Sequence, residues 1–223
     1  MRFFSDNTAT ACPEILAAVR DANHGLAQAY GDDDWTARLD GCLSAFFGTE
    51  VRCFAVATGT AANALSLATL SPPYGAIFAH QEAHIACDEC GAPGFFSGGA
   101  QLALLQGEHG RLLPATLAAA LAARPVDVHC VQPAALSLTQ ATELGTAYRS
   151  EQIAQLCQLA HGRGLKVHMD GARFANAVAF LGCHPGDISW RAGVDVLSLG
   201  ATKNGALAAE AVVFFERTLV RDF

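Results

Sequence analysis

The sequence predicts an α/β protein with a largely parallel central sheet that helices cover on both faces. Short apolar runs typical of buried strands alternate with segments whose apolar residues recur at helical spacing. Hydrophobic residues make up 52% of the 223 residues and charged residues only 16%, which indicates a compact protein with a large core. No low-complexity linker, charge run or internal repeat divides the chain. We therefore expect residues 1–223 to form one domain.

The first half of the chain supplies helices and strands in alternation. Ile15, Leu16 and Val19 recur at helical spacing after Pro13, which predicts a helix over about 13–24. The same pattern predicts a second helix at 35–47 and a third that opens at about Thr58. Continuous apolar runs predict strands at 53–57, 76–79 and 102–105.

The second half repeats this alternation. A helix is expected at about 114–123 and a core strand at 126–131. Ser150 begins a helix with Ile153 and Leu156 on its apolar face, and Gly162 and Gly164 end that helix. Apolar runs then predict strands at 165–169, 194–199 and 211–215.

Composition and charge exclude several classes of protein. The formal net charge is -7 and no basic stripe is present, which argues against binding to nucleic acid or to an anionic membrane. No apolar stretch approaches the roughly 20 residues of a membrane span, and the first residues turn polar too soon for a secretory signal. Six of the eight cysteines are scattered, and the single CxxC, Cys87 with Cys90, lacks a second pair. We expect a cytoplasmic protein with reduced thiols and no metal site.

Two candidate groups lie in the first half, at places where strands give way to helices. The turn at Thr58, Gly59 and Thr60 could bind a phosphate through its backbone N–H groups, the Thr60 hydroxyl and the helix dipole, or it could be an ordinary helix cap. His84 lies one helical turn from Asp88. It could stack on an aromatic cofactor, or it could be a solvated histidine beside acids.

Two further candidates follow strands of the second half. Asp170 ends a strand too apolar for the surface, so its charge calls for a partner. Arg173 could be that partner, or it could bind a substrate carboxylate. Lys203 lies in a turn of small residues that leaves room for a planar ligand, although a lone lysine in a loop is usually solvated.

Taken together, the four groups match the needs of one cofactor, pyridoxal 5'-phosphate (PLP). PLP requires a lysine to form its Schiff base and an aspartate to hold its pyridine nitrogen protonated. Lys203 and Asp170 supply these two functions. The turn at Gly59 and Thr60 would hold the phosphate, and His84 would lie against the ring.

Six blocks along the chain form a pattern: residues 4–10 (FSDNTAT), 30–33 (YGDD), 58–63 (TGTAAN), His84 with Glu89, 168–173 (HMDGAR) and 200–205 (GATKNG). In these blocks the chain resembles the low-specificity L-threonine aldolases, which are fold-type I PLP enzymes of the aromatic amino acid β-eliminating lyase and threonine aldolase group. The resemblance extends over the whole chain.

The resemblance implies an activity and an assembly. These enzymes cleave L-threonine and related β-hydroxy-α-amino acids to glycine and an aldehyde, and they form dimers of dimers with shared active sites. It implies that Lys203 holds PLP covalently and that five further residues bind the cofactor: Gly59, Thr60, His84, Asp170 and Arg173. Lys203, His84 and Asp170 are the implied catalytic residues.

The substrate roles are also implied by the resemblance. Ser5 and Arg173 would bind the amino-acid carboxylate. Tyr30 and Asp32 would line the site from a neighbouring subunit. The N-terminal segment, about 1–30, is thus expected to contribute to the active site.

Two features depart from the family pattern. Residues 140–145 read QATELG where many relatives carry a histidine that handles the β-hydroxyl group, and Glu143 is the candidate to replace it. The chain ends at Phe223, whereas family members continue through a small C-terminal domain, so we expect that domain to be absent. The alternatives are another PLP-dependent lyase or aminotransferase, or a truncated paralogue that binds without turnover.

Overall fold

The computed structural model describes residues 4–223. Its α-helices are α1 (Pro13–Ala22), α2 (Asp34–Phe47), α3 (Gly59–Leu70), α4 (His84–Cys87), α5 (Ala92–Phe96), α6 (Pro114–Ala122), α7 (Ser150–His161) and α8 (Phe174–Leu181). Its strands are β1 (Arg52–Val56), β2 (Gly75–His80), β3 (Gln101–Leu105), β4 (Gly107–Glu108), β5 (Arg111–Leu112), β6 (Gln132–Thr139), β7 (Lys166–Gly171), β8 (Val196–Gly200) and β9 (Glu210–Phe214). Short 3-10 turns connect several of them.

Seven strands form one twisted sheet in the order β1-β9-β8-β7-β6-β2-β3. The pairs β8–β7, β7–β6, β6–β2 and β2–β3 are parallel. Strand β9 is antiparallel to both of its neighbours, so β1 and β8 run in the same direction on either side of it. The sheet is therefore mostly parallel, and the predicted α/β class is confirmed. Strands β4 and β5 form a separate small hairpin.

The core consists of two apolar clusters, one on each face of the sheet. Leu197 and Val213 belong to the larger cluster, together with apolar residues of α7. Their chain neighbours Val196 and Val212 belong to the other cluster, which lies beneath α3. Successive side chains of a strand point to opposite faces, so a strand buried on both faces is apolar at most positions rather than at alternate ones. This is the pattern seen in the sequence.

The predicted strand at 126–131 is wrong. Val126 and Val128 are 93% and 96% exposed, and the strand begins only at Gln132. Pro133, its second residue, lacks the N–H that a strand donates, which is why the segment does not look like a central strand in the sequence. The pairing of β6 with β2 shifts register by one residue just after Pro133, and this irregularity accommodates the proline. Helix α8 was not predicted either.

Within the described part of the chain, no helix is both long enough and apolar enough to cross a membrane.

Candidate active site

The carboxyl ends of the parallel strands bring the predicted groups together at one edge of the sheet. Thr58 follows β1, His84 follows β2, Asp170 lies at the end of β7 and Lys203 follows β8. Ligands of open α/β sheets bind outside these ends. A cavity of about 280 Å³ opens there. Its lining includes Gly59, Thr60, Asn63, His84, Asp170, Thr202, Lys203 and Glu210.

One end of the cavity is formed by the N-terminus of α3. The hydroxyl of Thr58 accepts the N–H of Ala61 at 3.0 Å, so Thr58 is the N-cap of this helix. Gly59 and Thr60 are the first two helical residues, and backbone N–H groups at such positions have no partner within the helix. Both residues line the cavity. The helix dipole and these N–H groups favour an anion at this end.

Asp170 lies in the wall of the cavity and is 3% exposed. Its Oδ1 accepts the N–H of Ala172 at 3.0 Å, and its Oδ2 accepts an N–H of Asn63 at 3.0 Å. A carboxylate has about four acceptor sites, so Asp170 can accept a further hydrogen bond from a ligand. The two protein donors fix its orientation.

A second buried acid lies behind Asp170. The amide of Asn63 donates its other N–H to Oε1 of Glu89 at 2.9 Å, so Asn63 bridges the two carboxyl groups. Burial raises the pKa of Glu89 to about 7, although the hydrogen bond from Asn63 opposes the rise. Among the described residues, Oδ1 of Asn63 and Oε2 of Glu89 have no hydrogen-bond partner.

His84 lines the cavity and lies close to three acidic side chains. Its Nδ1 is 3.5 Å from Asp88 Oδ2, as the predicted helical turn requires, and 4.0 Å from Glu143 Oε1. Its Nε2 is 4.0 Å from Glu89 Oε1. The imidazole thus lies within 4.0 Å of three carboxyl groups.

Arg173 lies in a second, adjoining cavity of about 640 Å³. Its Nε and Nη2 donate to the two carboxylate oxygens of Asp6 at 2.5 and 3.2 Å, which is a bidentate arrangement. Its Nη1 lies 3.3 Å from Glu143 Oε1. Burial opposes ionisation of Asp6, but the hydrogen bond and charge of Arg173 outweigh it and lower the pKa of Asp6. Lys203 Nζ is 4.0 Å from the same carboxylate.

The remaining predicted residues are divided between the site and the surface. Ser5 lines the second cavity, and its hydroxyl accepts the N–H of Asn7 at 3.2 Å. Tyr30 and Asp32 are exposed and line neither of the two cavities. Within a single copy of the chain they are therefore not brought together with Lys203.

Sequence reasoning missed four polar residues of the site: Asp6, Asn63, Thr202 and Glu210. Asn63 had a signal in the sequence, because it is the polar residue within the otherwise apolar run at 61–65 (AANAL), and polar residues that become buried need partners. Asp6 and Thr202 lie inside the quoted motif blocks, but nothing in the sequence tells which partner they contact. Glu210 is brought to the cavity only by the reversal of β9.

Comparison with known proteins agrees with this architecture. The profile of the family described as beta-eliminating lyase matches residues 2–222. The chain belongs to this family. The resemblance read from the motifs is thereby confirmed.

The most informative relatives are threonine aldolases. The chain is 48% identical to the low specificity L-threonine aldolase of Pseudomonas aeruginosa and 45% identical to that of a Pseudomonas species, over 222 residues in each case. These alignments cover 100% of this chain and 64% of each relative, so the chain spans less than two thirds of their length. The solved structure of Leishmania major threonine aldolase superposes with a TM-score of 0.90 at 25% identity and covers 97% of this chain and 63% of that one.

Proposed function

We propose that the chain binds PLP and cleaves β-hydroxy-α-amino acids, such as L-threonine and L-allo-threonine, to glycine and an aldehyde. The observation that carries this proposal is the meeting of Lys203, Asp170 and His84 with the N-terminus of α3 in one cavity. The activity named for the two Pseudomonas relatives points to the same reaction.

The residues of the cavity fit PLP at its phosphate and at its ring nitrogen. The N-terminus of α3, with Gly59 and Thr60, suits the phosphate. Asp170 has acceptor capacity left for a ring N–H. The buried atoms of Asn63 and Glu89 without a partner among the described residues belong to a polar network that a ligand would complete.

Each residue then has a defined task. When bound, PLP supplies an electron sink for the pair left on Cα as a bond to that carbon breaks. Lys203 would hold the cofactor covalently through its amine, and Asp170 would keep the ring nitrogen protonated. The imidazole of His84 would stack on the ring. Arg173 and Ser5 would orient the substrate.

Arg173 and Ser5 would bind the carboxylate of the substrate. The guanidinium of Arg173 already binds the carboxylate of Asp6 in a bidentate geometry. The carboxylate of an amino-acid substrate would bind to Arg173 in the same way, in place of Asp6. Glu143 lies 3.3 Å from Arg173 and 4.0 Å from His84. We propose that Glu143 accepts the proton of the β-hydroxyl group, in place of the histidine carried by many relatives.

We further propose that copies of the chain assemble as a dimer of dimers. None of the residues of α1 is buried, and Leu16 and Val19 are 52% and 50% exposed on it. Exposed apolar surface of this kind marks interaction sites. Tyr30 and Asp32 would then reach the active site of a neighbouring copy. A cytoplasmic location is proposed from the eight free cysteines.

The test is to add PLP to the purified chain, record the absorbance of bound cofactor, and then supply L-threonine. Release of glycine and acetaldehyde in equal amounts is expected. Pyruvate and ammonia from L-serine would instead indicate β-elimination, and an oxo acid from the substrate would indicate transamination. Cofactor binding without any product would indicate a chain that binds PLP without turnover. A chain that binds no PLP would overturn the proposal.

A further inference from the structure

We propose that Glu210 takes up one proton when the phosphate of the cofactor binds and thereby turns the hydroxyl of Thr202 toward that phosphate. This inference rests on the proposed function and assigns a positioning role to a residue that acts through Thr202.

The position of Glu210 follows from the topology of the sheet. Glu210 is the first residue of β9, where it pairs with Val56 of β1 and with Gly200 of β8. Strand β1 leads directly into the N-terminus of α3, and β8 leads into the turn of Lys203. Because β9 runs in the opposite direction, its beginning lies between the carboxyl ends of these two strands. Glu210 therefore reaches the phosphate end of the cavity.

One distance shows how close the carboxylate is to the proposed phosphate site. A Cβ atom built on Gly59, the first residue of α3, would lie 3.5 Å from Glu210 Oε2. An ionised carboxylate at this place would repel a bound phosphate, because two anions in a half-buried site destabilise one another.

The hydrogen bonds of Thr202 indicate how this conflict is resolved. Its hydroxyl donates its single proton to Glu210 Oε1 at 2.5 Å and accepts the N–H of Ala209 at 3.2 Å. Thr202 lines the cavity, but in this arrangement it has no proton to offer a ligand. If a proton from solvent binds to Glu210, the carboxyl O–H can donate to Thr202 Oγ1 instead. The Thr202 proton is then free for the phosphate, and each atom keeps a partner.

Burial and the charge of Asp170 favour this proton uptake. Burial raises the pKa of Glu210, the hydrogen bond from Thr202 opposes the rise, and the charge of Asp170 adds to it. Lys203, which lines the same cavity, lowers the pKa, and His84 is the remaining titratable residue of the lining. A phosphate dianion would add a further negative charge and raise the pKa again.

The experiment is calorimetric titration of the purified chain with PLP in two buffers of different ionisation enthalpy, which gives the number of protons taken up. At about pH 8, a phosphate monoester with a second pKa of about 6 is already a dianion. On binding PLP, the wild-type chain is expected to take up about one proton more than Glu210→Gln. For each unit by which the pH rises, the affinity of the wild type for PLP should therefore fall about tenfold more than that of the variant. The surface variant Glu151→Gln should behave as wild type. With pyridoxal, which lacks the phosphate, wild type and Glu210→Gln should take up the same number of protons.

Equal proton uptake by wild type and Glu210→Gln on binding PLP would overturn the inference. If Glu210→Gln does not fold, wild type alone decides: PLP should cause about one more proton to bind than pyridoxal does, and equal uptake would refute the role. The two proposals fail in different ways. No absorbance of bound PLP in wild type would refute the proposed function, whereas bound PLP with uptake independent of Glu210 would refute only this inference.

Discussion

The substitution Asp170→Asn tests the electrostatic part of the proposed site, because it removes a charge and changes little in shape. Asp170 accepts one hydrogen bond from Ala172 and one from Asn63. An asparagine at this position offers one oxygen and one NH₂ group, so one of the two donors loses its acceptor. An unsatisfied buried donor costs about 1–3 kcal/mol of folding free energy.

The network can relieve part of this cost. The amide of Asn63 can rotate and face its oxygen to the new NH₂ group. After this rotation Asn63 keeps a hydrogen bond to Glu89 only if the Glu89 carboxyl group is protonated and donates. The Glu89 pKa of about 7 permits this near neutral pH. We therefore expect Asp170→Asn to fold and to keep the cofactor. Turnover should fall on the order of 10²- to 10³-fold, because a preorganised anion facing the ring nitrogen is lost.

The assay combines the absorbance of bound PLP with the rate of glycine release. Asp187→Asn is the matched control, since Asp187 lies outside both cavities and pairs with Arg191 on the surface. Its turnover should equal that of wild type. Wild-type turnover in Asp170→Asn with cofactor bound would refute the role given to this carboxylate.

Three further predictions concern binding and stability. Arg173→Lys should raise the KM for the amino acid about 10- to 100-fold with a smaller effect on kcat, since a two-pronged hydrogen bond is lost; an unchanged KM in steady-state assays would contradict this. Between pH 4.5 and about 7, Glu89 is protonated to a greater extent in the folded chain than in the unfolded chain. Its contribution to the free energy of unfolding is therefore complete below pH 4.5 and is lost as the pH rises through 7. Urea unfolding of the cofactor-free chain should show this decline, on the order of 3 kcal/mol, in wild type but not in Glu89→Gln, and equal slopes would refute it. Tyr148→Phe should lower the free energy of unfolding by about 1–3 kcal/mol, because the buried Tyr148 hydroxyl accepts the N–H of Leu112, whereas Tyr74→Phe at the surface should not; equal losses would count against this account.

Much of the fold could be predicted because the strands are buried on both faces. A strand such as β8 is then apolar at most positions, and the charged residue that follows it stands out. Asp170 and Lys203 were found in this way, since each comes at or just after the carboxyl end of such a strand. Parallel neighbours bring their carboxyl ends to one edge, which is why residues far apart in the sequence line the same cavity.

The failures have equally specific causes. The true strand after residue 131 begins with Gln132 and Pro133, and these two residues pair only with β2, just before the register of that pairing shifts. The position of Glu210 depends on β9 inserting in reverse between β1 and β8, and no local pattern encodes that order. The contact of Asp6 with Arg173 joins residues 167 positions apart.

The most direct measurement is to identify the lysine that holds the cofactor. The chain has only two lysines, Lys166 and Lys203. Lys166 pairs with Asp195 at the start of β7 and lines neither cavity, so it is an internal control. After incubation with PLP and reduction with borohydride, mass spectrometry should find the added mass on the peptide that contains Lys203, in wild type and in Lys166→Ala. A label on Lys166, or one that survives in Lys203→Ala, would contradict the proposed site.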